Sequence, residues 1–181
     1  MVYVLLAEDF EEIEALAPVD LLRRVDIEVA TVSLNDGLMV QGGHNINVKA
    51  DITLTQVDFE ALELLVLPGG LGGVSAIAES PAAMELIQRV WNADKKLAAI
   101  CAAPKLLAGL GIIKGMSVVC HPSVNNEIMN AGGRVLFNKQ AVCDQNLITG
   151  KAAGSSIEFA LELVATMRDR ETADKLRLTL V

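Results

Sequence analysis

LAAICAAPKLLAGLG, residues 97–111, runs an apolar stretch of strand character straight into a stretch with helical spacing, and Cys101 stands at the joint. Parallel α/β sheets are built from such strand-to-helix passages. Four more apolar runs bounded by Gly, Pro or charge read as buried strands: VYVLLA (2–7), IEVATVS (27–33), LELLVLP (62–68) and MSVVC (116–120). Several lack clean alternation, as strands covered on both faces do. Helical patterns lie between and after them: EEIEALAPVDLLRRV (11–25), SPAAMELIQRVWNADKK (80–96), PKLLAGL (104–110), PSVNNEIMNAG (122–132) and SSIEFALELVATMRDRETADKL (155–176). The alternation predicts a mostly parallel α/β sandwich. GHNINVKADITL (43–54) and RVLFNKQAVCDQNLITG (134–150) read as short strand pairs and hairpins at an edge. No internal repeat or low-complexity linker divides the chain, so one domain over residues 1–181 is expected.

Composition narrows the function classes. The chain is 52% hydrophobic, yet Gly, Pro and charges interrupt every apolar run before the ~20 residues of a membrane span. A net charge of −8 argues against nucleic acid, whose backbone needs clustered Lys and Arg. MVYVLLAEDFEE carries no signal-peptide pattern, and a cytoplasmic location is the expectation. Three widely spaced cysteines, Cys101, Cys120 and Cys143, suit a reducing compartment. With two histidines, His44 and His121, and no ligand spacing around Cys120, no metal is expected.

In open α/β sheets, ligands bind beyond the carboxyl ends of the strands, which points to residues 8–14, 68–73, 101–104 and 121–123. Ala99-Ile100-Cys101-Ala102-Ala103 has the form of a nucleophile elbow, with alanines where the better-known version has glycines. Cys101 is then either a buried core residue or a thiol at the N-terminus of the helix near Pro104, where the helix dipole favours a thiolate and Ala102 N–H faces a developing oxyanion. Gly69 and Gly70 form either a tight turn or a second set of oxyanion donors. The spacing fits neither a dinucleotide fingerprint nor a Walker loop. Asp9 reads as the N-cap of a helix starting near Phe10, with Ile13, Leu16, Ala17 and Leu21 as its apolar face and Glu14 at the margin. Pro18 is expected to bend that helix at Glu14. His121 is either a satisfied structural residue or a neighbour of the thiol; Cys120 and Cys143 read as strand residues.

AEDFEEIEALAPVDLLRR, LVLPGG, AAICAAP, CHP and GSSIEFALEL, in that order along essentially the whole chain, resemble the ThiJ/PfpI superfamily. The likeness is to its branch of parkinsonism-associated protein deglycases and bacterial YajL-like proteins. It implies a flavodoxin-like three-layer α/β sandwich and a homodimer. It also implies that Cys101 is the reactive cysteine, that Glu14 hydrogen-bonds its sulfur, and that His121 lies nearby, while Gly69, Gly70 and Ala102 line the oxyanion pocket. Three departures stand out. Ala102 replaces the histidine of the peptidase branch, His44 replaces an arginine, and Ala152-Ala153 replaces a Gly-Pro pair. Arg24 matches an arginine of an anion pocket that here lacks its arginine partner.

Two functions follow from the resemblance. One is a cofactor-free, cysteine-dependent glyoxalase or deglycase that turns methylglyoxal, glyoxal or their early protein adducts into a hydroxy acid, with Glu14 or His121 moving a proton between adjacent carbons. The other is an oxidative-stress sensor or redox-regulated chaperone that uses Cys101 with little turnover.

Overall fold

The computed structural model describes residues 1–180. Its elements run β1 (Val2–Leu6), α1 (Glu12–Arg23), β2 (Val29–Ser33), β3 (Met39–Gln41), β4 (Asn47–Lys49), β5 (Ile52–Thr53), β6 (Leu64–Leu67), α2 (Leu71–Glu79), α3 (Pro81–Asn92), β7 (Lys96–Ile100), α4 (Pro104–Gly109), β8 (Ser117–Val118), α5 (Asn125–Asn130), β9 (Arg134–Val135), β10 (Ala141–Asp144), β11 (Leu147–Gly150), α6 (Ser156–Met167) and α7 (Arg170–Leu178). Seven strands form the central sheet in the order β10-β11-β7-β6-β1-β2-β5. Every pairing in it is parallel except that of β10 with β11.

β1 shows why the strands do not alternate in polarity. Tyr3, Leu5 and Ala7 join one apolar layer with Val74, Ile77, Leu106 and Ile128, whereas Val2, Val4 and Leu6 join the other with Ala15, Val19, Leu22, Phe159 and Leu163. Successive side chains point to opposite faces, and helices cover both, so both sets must be apolar. Burying each such side chain contributes about 1.5–3 kcal/mol. Chain order reverses at β1, whose neighbours are β2 on one side and β6 on the other. That switch point opens a crevice at the carboxyl ends of β1 and β6.

Several expectations need correction. Of MSVVC only Ser117–Val118 is strand, and it pairs with β9 in a separate two-stranded sheet. Both flanks of β7 are already taken by β6 and β11, so residues 117–119 bind side chains instead: Ser117 N–H donates to Asp144 Oδ2 (2.6 Å) and Val119 N–H to Thr149 Oγ1 (2.9 Å). Cys120 therefore lies past a strand, while Cys143 is in β10. The 134–150 stretch does supply an antiparallel hairpin at the sheet edge, with β10 outermost and β11 between it and β7. The 43–54 stretch supplies β4, hairpin partner of β3, and β5, the parallel edge beside β2.

Helix α1 differs most. Its N-cap is Glu11, whose Oε2 accepts Glu14 N–H at 2.8 Å, and Asp9 instead takes a left-handed conformation (φ 62°). The helix includes Pro18 without interruption. Its buried face is Glu12, Glu14, Ala15, Pro18, Val19, Leu21 and Leu22, whereas Ile13 is 58% exposed and Leu16 and Ala17 are only half-buried. Two carboxylates occupy positions that an apolar count assigns to solvent. The 155–176 pattern is two helices, because Asp169 caps a new one by accepting Thr172 N–H at 2.7 Å.

Candidate active site

Cys101 follows β7 directly and holds φ 65°, a strained value for a residue with a side chain. Two backbone bonds keep it there. Its N–H donates to Gly150 O (3.0 Å), and its carbonyl accepts His121 N–H (2.8 Å). The thiol is thereby turned out of the sheet at the strand end, half-buried, ahead of α4.

Glu14 reaches this point from the first turn of α1. Its side chain has no exposed surface, and Oε2 accepts Gly69 N–H at 2.8 Å. Oε1 is buried with no hydrogen-bond partner, and the carboxyl lies beside the Cys101 thiol, near enough that each shifts the other's proton affinity. A Cβ on Gly69 would overlap Glu14 Oε2 and Cys101 Cβ and crowd Sγ, so only glycine leaves room for the pair. The Gly69 amide is thus committed to Glu14. Gly70, at φ 89°, and Ala102 supply the amides directed at the sulfur. A side chain at Gly70 would strike Asp9 O and Glu11 N, which fixes this close approach of the β6 and β1 loops.

Burial pushes the Glu14 carboxyl up to about 7, with the Glu11 charge adding to it against the Cys101 and Gly69 hydrogen bonds. Burial, then the charge and hydrogen bond of Glu14, push the Cys101 thiol up to about 12 despite the Ala102 and Gly70 amides. Burial and the Glu14 charge thus oppose the thiolate that the Ala102 and Gly70 amides favour.

A cavity of about 470 Å³ opens over the thiol, lined by Glu11, Glu14, His44, Gly70, Leu71, Cys101, Ala102, His121, Ser123, Ala152 and Ala153. The His121 ring caps the turn at Pro122–Val124: Nδ1 accepts Ser123 N–H (3.2 Å) and lies 2.8 Å from Ser123 Oγ. A backbone N–H can only donate, so the neutral ring carries its proton on Nε2. His44, legible in the sequence only as a family departure, belongs to the same cavity. Its Nδ1 lies 2.7 Å from Glu12 Oε2, and its N–H donates to Glu12 Oε1 at 2.7 Å. Glu11, Glu12 and His44 gather ligand atoms within 4.8 Å, but the direct Glu12–His44 contact fills the space a cation would need. Arg24 is tied to Asp20 at 2.8 Å on the exposed side of α1.

Leu71 and Ser123 complete the wall, both within the strand-end stretches 68–73 and 121–123 that the topology singles out. Leu71 opens α2, a helix hidden by Gly72 and Gly73, where a Cβ would overlap the Asp9 side chain and the Phe10 backbone.

The chain is 36% identical to Protein dj-1beta of Drosophila melanogaster over 93% of its own length and 89% of that protein's. The crystal structure of Drosophila melanogaster DJ-1beta superposes with a TM-score of 0.93, covering 99% of this chain and 96% of that one at 34% identity. Glutathione-independent glyoxalase DJR-1.2 of Caenorhabditis elegans is 31% identical over 93% of this chain and 89% of its own. Deglycase PfpI of Pyrococcus furiosus is 26% identical over 90% and 96%. Residues 1–166 match the DJ-1/PfpI family, and the chain belongs to that family.

Proposed function

We propose that the protein is a cysteine-dependent, cofactor-free glyoxalase and deglycase, acting on methylglyoxal or glyoxal and on their early protein adducts. The observation that carries this reading is the Cys101–Glu14 pair, a strained thiol beside a buried carboxyl whose proton affinity is tuned to about 7. A base with that affinity suits proton transfer near neutral pH. Relatives named as a glutathione-independent glyoxalase and a deglycase support the same chemistry.

Ionised Glu14 takes the thiol proton as Sγ adds to the aldehyde carbon, C1, and the proton passes to the new hydroxyl, giving a hemithioacetal. The Gly70 and Ala102 amides and His121 Nε2–H steady the oxygen charge that develops. Glu14 then removes the C1 hydrogen and returns it to C2, while the C1 hydroxyl proton moves to the C2 oxygen. C1 rises to a thioester and C2 falls to an alcohol, so oxidation and reduction balance within the substrate. Water cleaves the C–S bond to release the hydroxy acid and restore the thiol.

The redox-sensor reading uses the same half-buried Cys101, and peroxide titration read by intact mass tests it: it needs Cys101 oxidised in preference to Cys120 and Cys143. Assembly as a homodimer belongs to the proposal, and the exposed apolar side chains Ile13, Met39 and Ile46 favour it. So does placement in the cytoplasm; among the described residues, no helix is long and apolar enough to cross a membrane. The test follows methylglyoxal by proton NMR without glutathione. The reading expects lactate as the product, and a folded, reduced protein that leaves the aldehyde unchanged would refute it.

A further inference from the structure

The geometry points to His44, oriented by Glu12, as the base that activates the water releasing the acyl group from Cys101. This inference rests on the thioester of the proposed function and assigns the step that the Cys101–Glu14 pair leaves open.

The pocket holds two histidines in opposite states. Ser123 N–H donates to His121 Nδ1, so neutral His121 has Nε2–H to give and no lone pair facing the cavity. At His44 the partner is a carboxylate, which can only accept. Nδ1 must carry the proton, and the Nε2 lone pair is the one turned away from Glu12. His44 lines the cavity with Cys101, and its side chain is 71% exposed, so Nε2 meets solvent at the mouth. Glu14 lies at the other end, buried against the Gly69 amide behind the sulfur.

Glu12 is built for orienting this ring. It is 4% exposed, and its two oxygens take the His44 amide and ring. A side chain on Gly42 would overlap its carboxyl, so the turn that carries His44 can close over Glu12 only through glycine. Gly42 N–H to Ile46 O (2.9 Å) closes the turn, and Gly43 N–H to Phe10 O (2.9 Å) ties it to the segment just before α1. Burial works to raise the Glu12 carboxyl, but its bonds from His44 prevail and hold it below the usual range, while the same contacts raise His44. A carboxylate that stays ionised behind an imidazole strengthens it as a base.

In the step itself, water oxygen bonds to the thioester carbonyl carbon as one water proton moves to His44 Nε2. The tetrahedral intermediate then expels the sulfur with the C–S electron pair. The sulfur recovers a proton from the newly formed carboxylic acid, and imidazolium returns its proton to solvent. One water is consumed, and hydroxy-acid anion, proton and thiol are produced.

The test compares wild type with His44→Ala on methylglyoxal, using acid quench, intact mass and lactate assay. Wild type forms lactate. The variant consumes its first equivalent at the wild-type rate, then stalls with one methylglyoxal equivalent on Cys101 as an acid-stable, hydroxylamine-cleavable thioester, and turnover falls about 10²-fold or more. Hydroxylamine, a nucleophile that needs no base, added after free methylglyoxal has been removed so that no oxime forms, cleaves the adduct to the hydroxamate and frees the thiol for another equivalent, a rescue that a structural role for His44 would not give. Glu12→Gln, which leaves Nδ1 facing an amide, shows the same adduct with a smaller loss. Wild-type turnover in His44→Ala without an adduct overturns the inference, as does a slowed first equivalent. A wild type that forms no lactate removes the thioester and the inference together, an outcome told apart by the wild-type arm alone.

Discussion

Replacing Glu14 by Gln exchanges a buried carboxyl for a side chain of the same shape with no proton to lose. Burial moves the carboxyl from 4.5 to about 7 in the folded protein. The folded state therefore holds this proton more tightly than the unfolded chain does. The stability it contributes is complete below about pH 4.5 and is lost as pH rises through about 7. At ~1.4 kcal/mol per pH unit, the gap between those values is worth about 3 kcal/mol. Gln keeps an oxygen for Gly69 N–H and, like protonated Glu14, carries no charge. Glu14→Gln should match wild type in stability at about pH 4. At about pH 8.5 it should be more stable by up to ~3 kcal/mol, roughly 6–12 °C in Tm. Lactate formation should fall about 10²–10⁴-fold with the base gone. Urea unfolding across this pH range, at matched protein concentration, reads the difference between the two proteins, in which the other carboxylates cancel. Equal stability at about pH 8.5 would refute the claim that a buried, ionisable Glu14 is held there at the fold's expense.

Gly69→Ala drives a methyl group between Glu14 and Cys101. It should cost about 1–3 kcal/mol by overpacking and slow turnover about 10²-fold by misplacing base and nucleophile, read by urea unfolding and lactate assay. Glu14→Gln also removes a charge that raises the Cys101 thiol, so iodoacetamide at about pH 8 should alkylate Cys101 faster in the variant; an unchanged rate would dissociate the pair. Thr149→Val keeps the shape of a fully buried side chain but strands the Val119 amide. It should destabilise by about 1–3 kcal/mol without changing turnover per folded molecule.

The sheet was legible because a parallel strand covered on both faces has little choice of residue, and β1, β6 and β7 read as unbroken apolar runs. The elbow was legible because Ala99 and Ala103 leave room around a sharp turn. Reading failed where tertiary contact overrode pattern. Gly72 and Gly73 look like loop residues, yet they begin α2 because Asp9 and Phe10 lie against them. Counting apolar residues placed Ile13 inside and Glu14 at the margin, whereas α1 turns Glu12 and Glu14 inward, each toward a partner distant in sequence. MSVVC has strand composition, but composition does not say that β7 has no free flank. His44 lies far in sequence from every other pocket residue, and nothing local marks it as a member.

Lactate formed from methylglyoxal without glutathione by wild type, Cys101→Ser and Cys143→Ser, each folded and reduced, tests the central claim most directly. The account predicts product from wild type and Cys143→Ser and none from Cys101→Ser. Equal turnover by Cys101→Ser and wild type would contradict it.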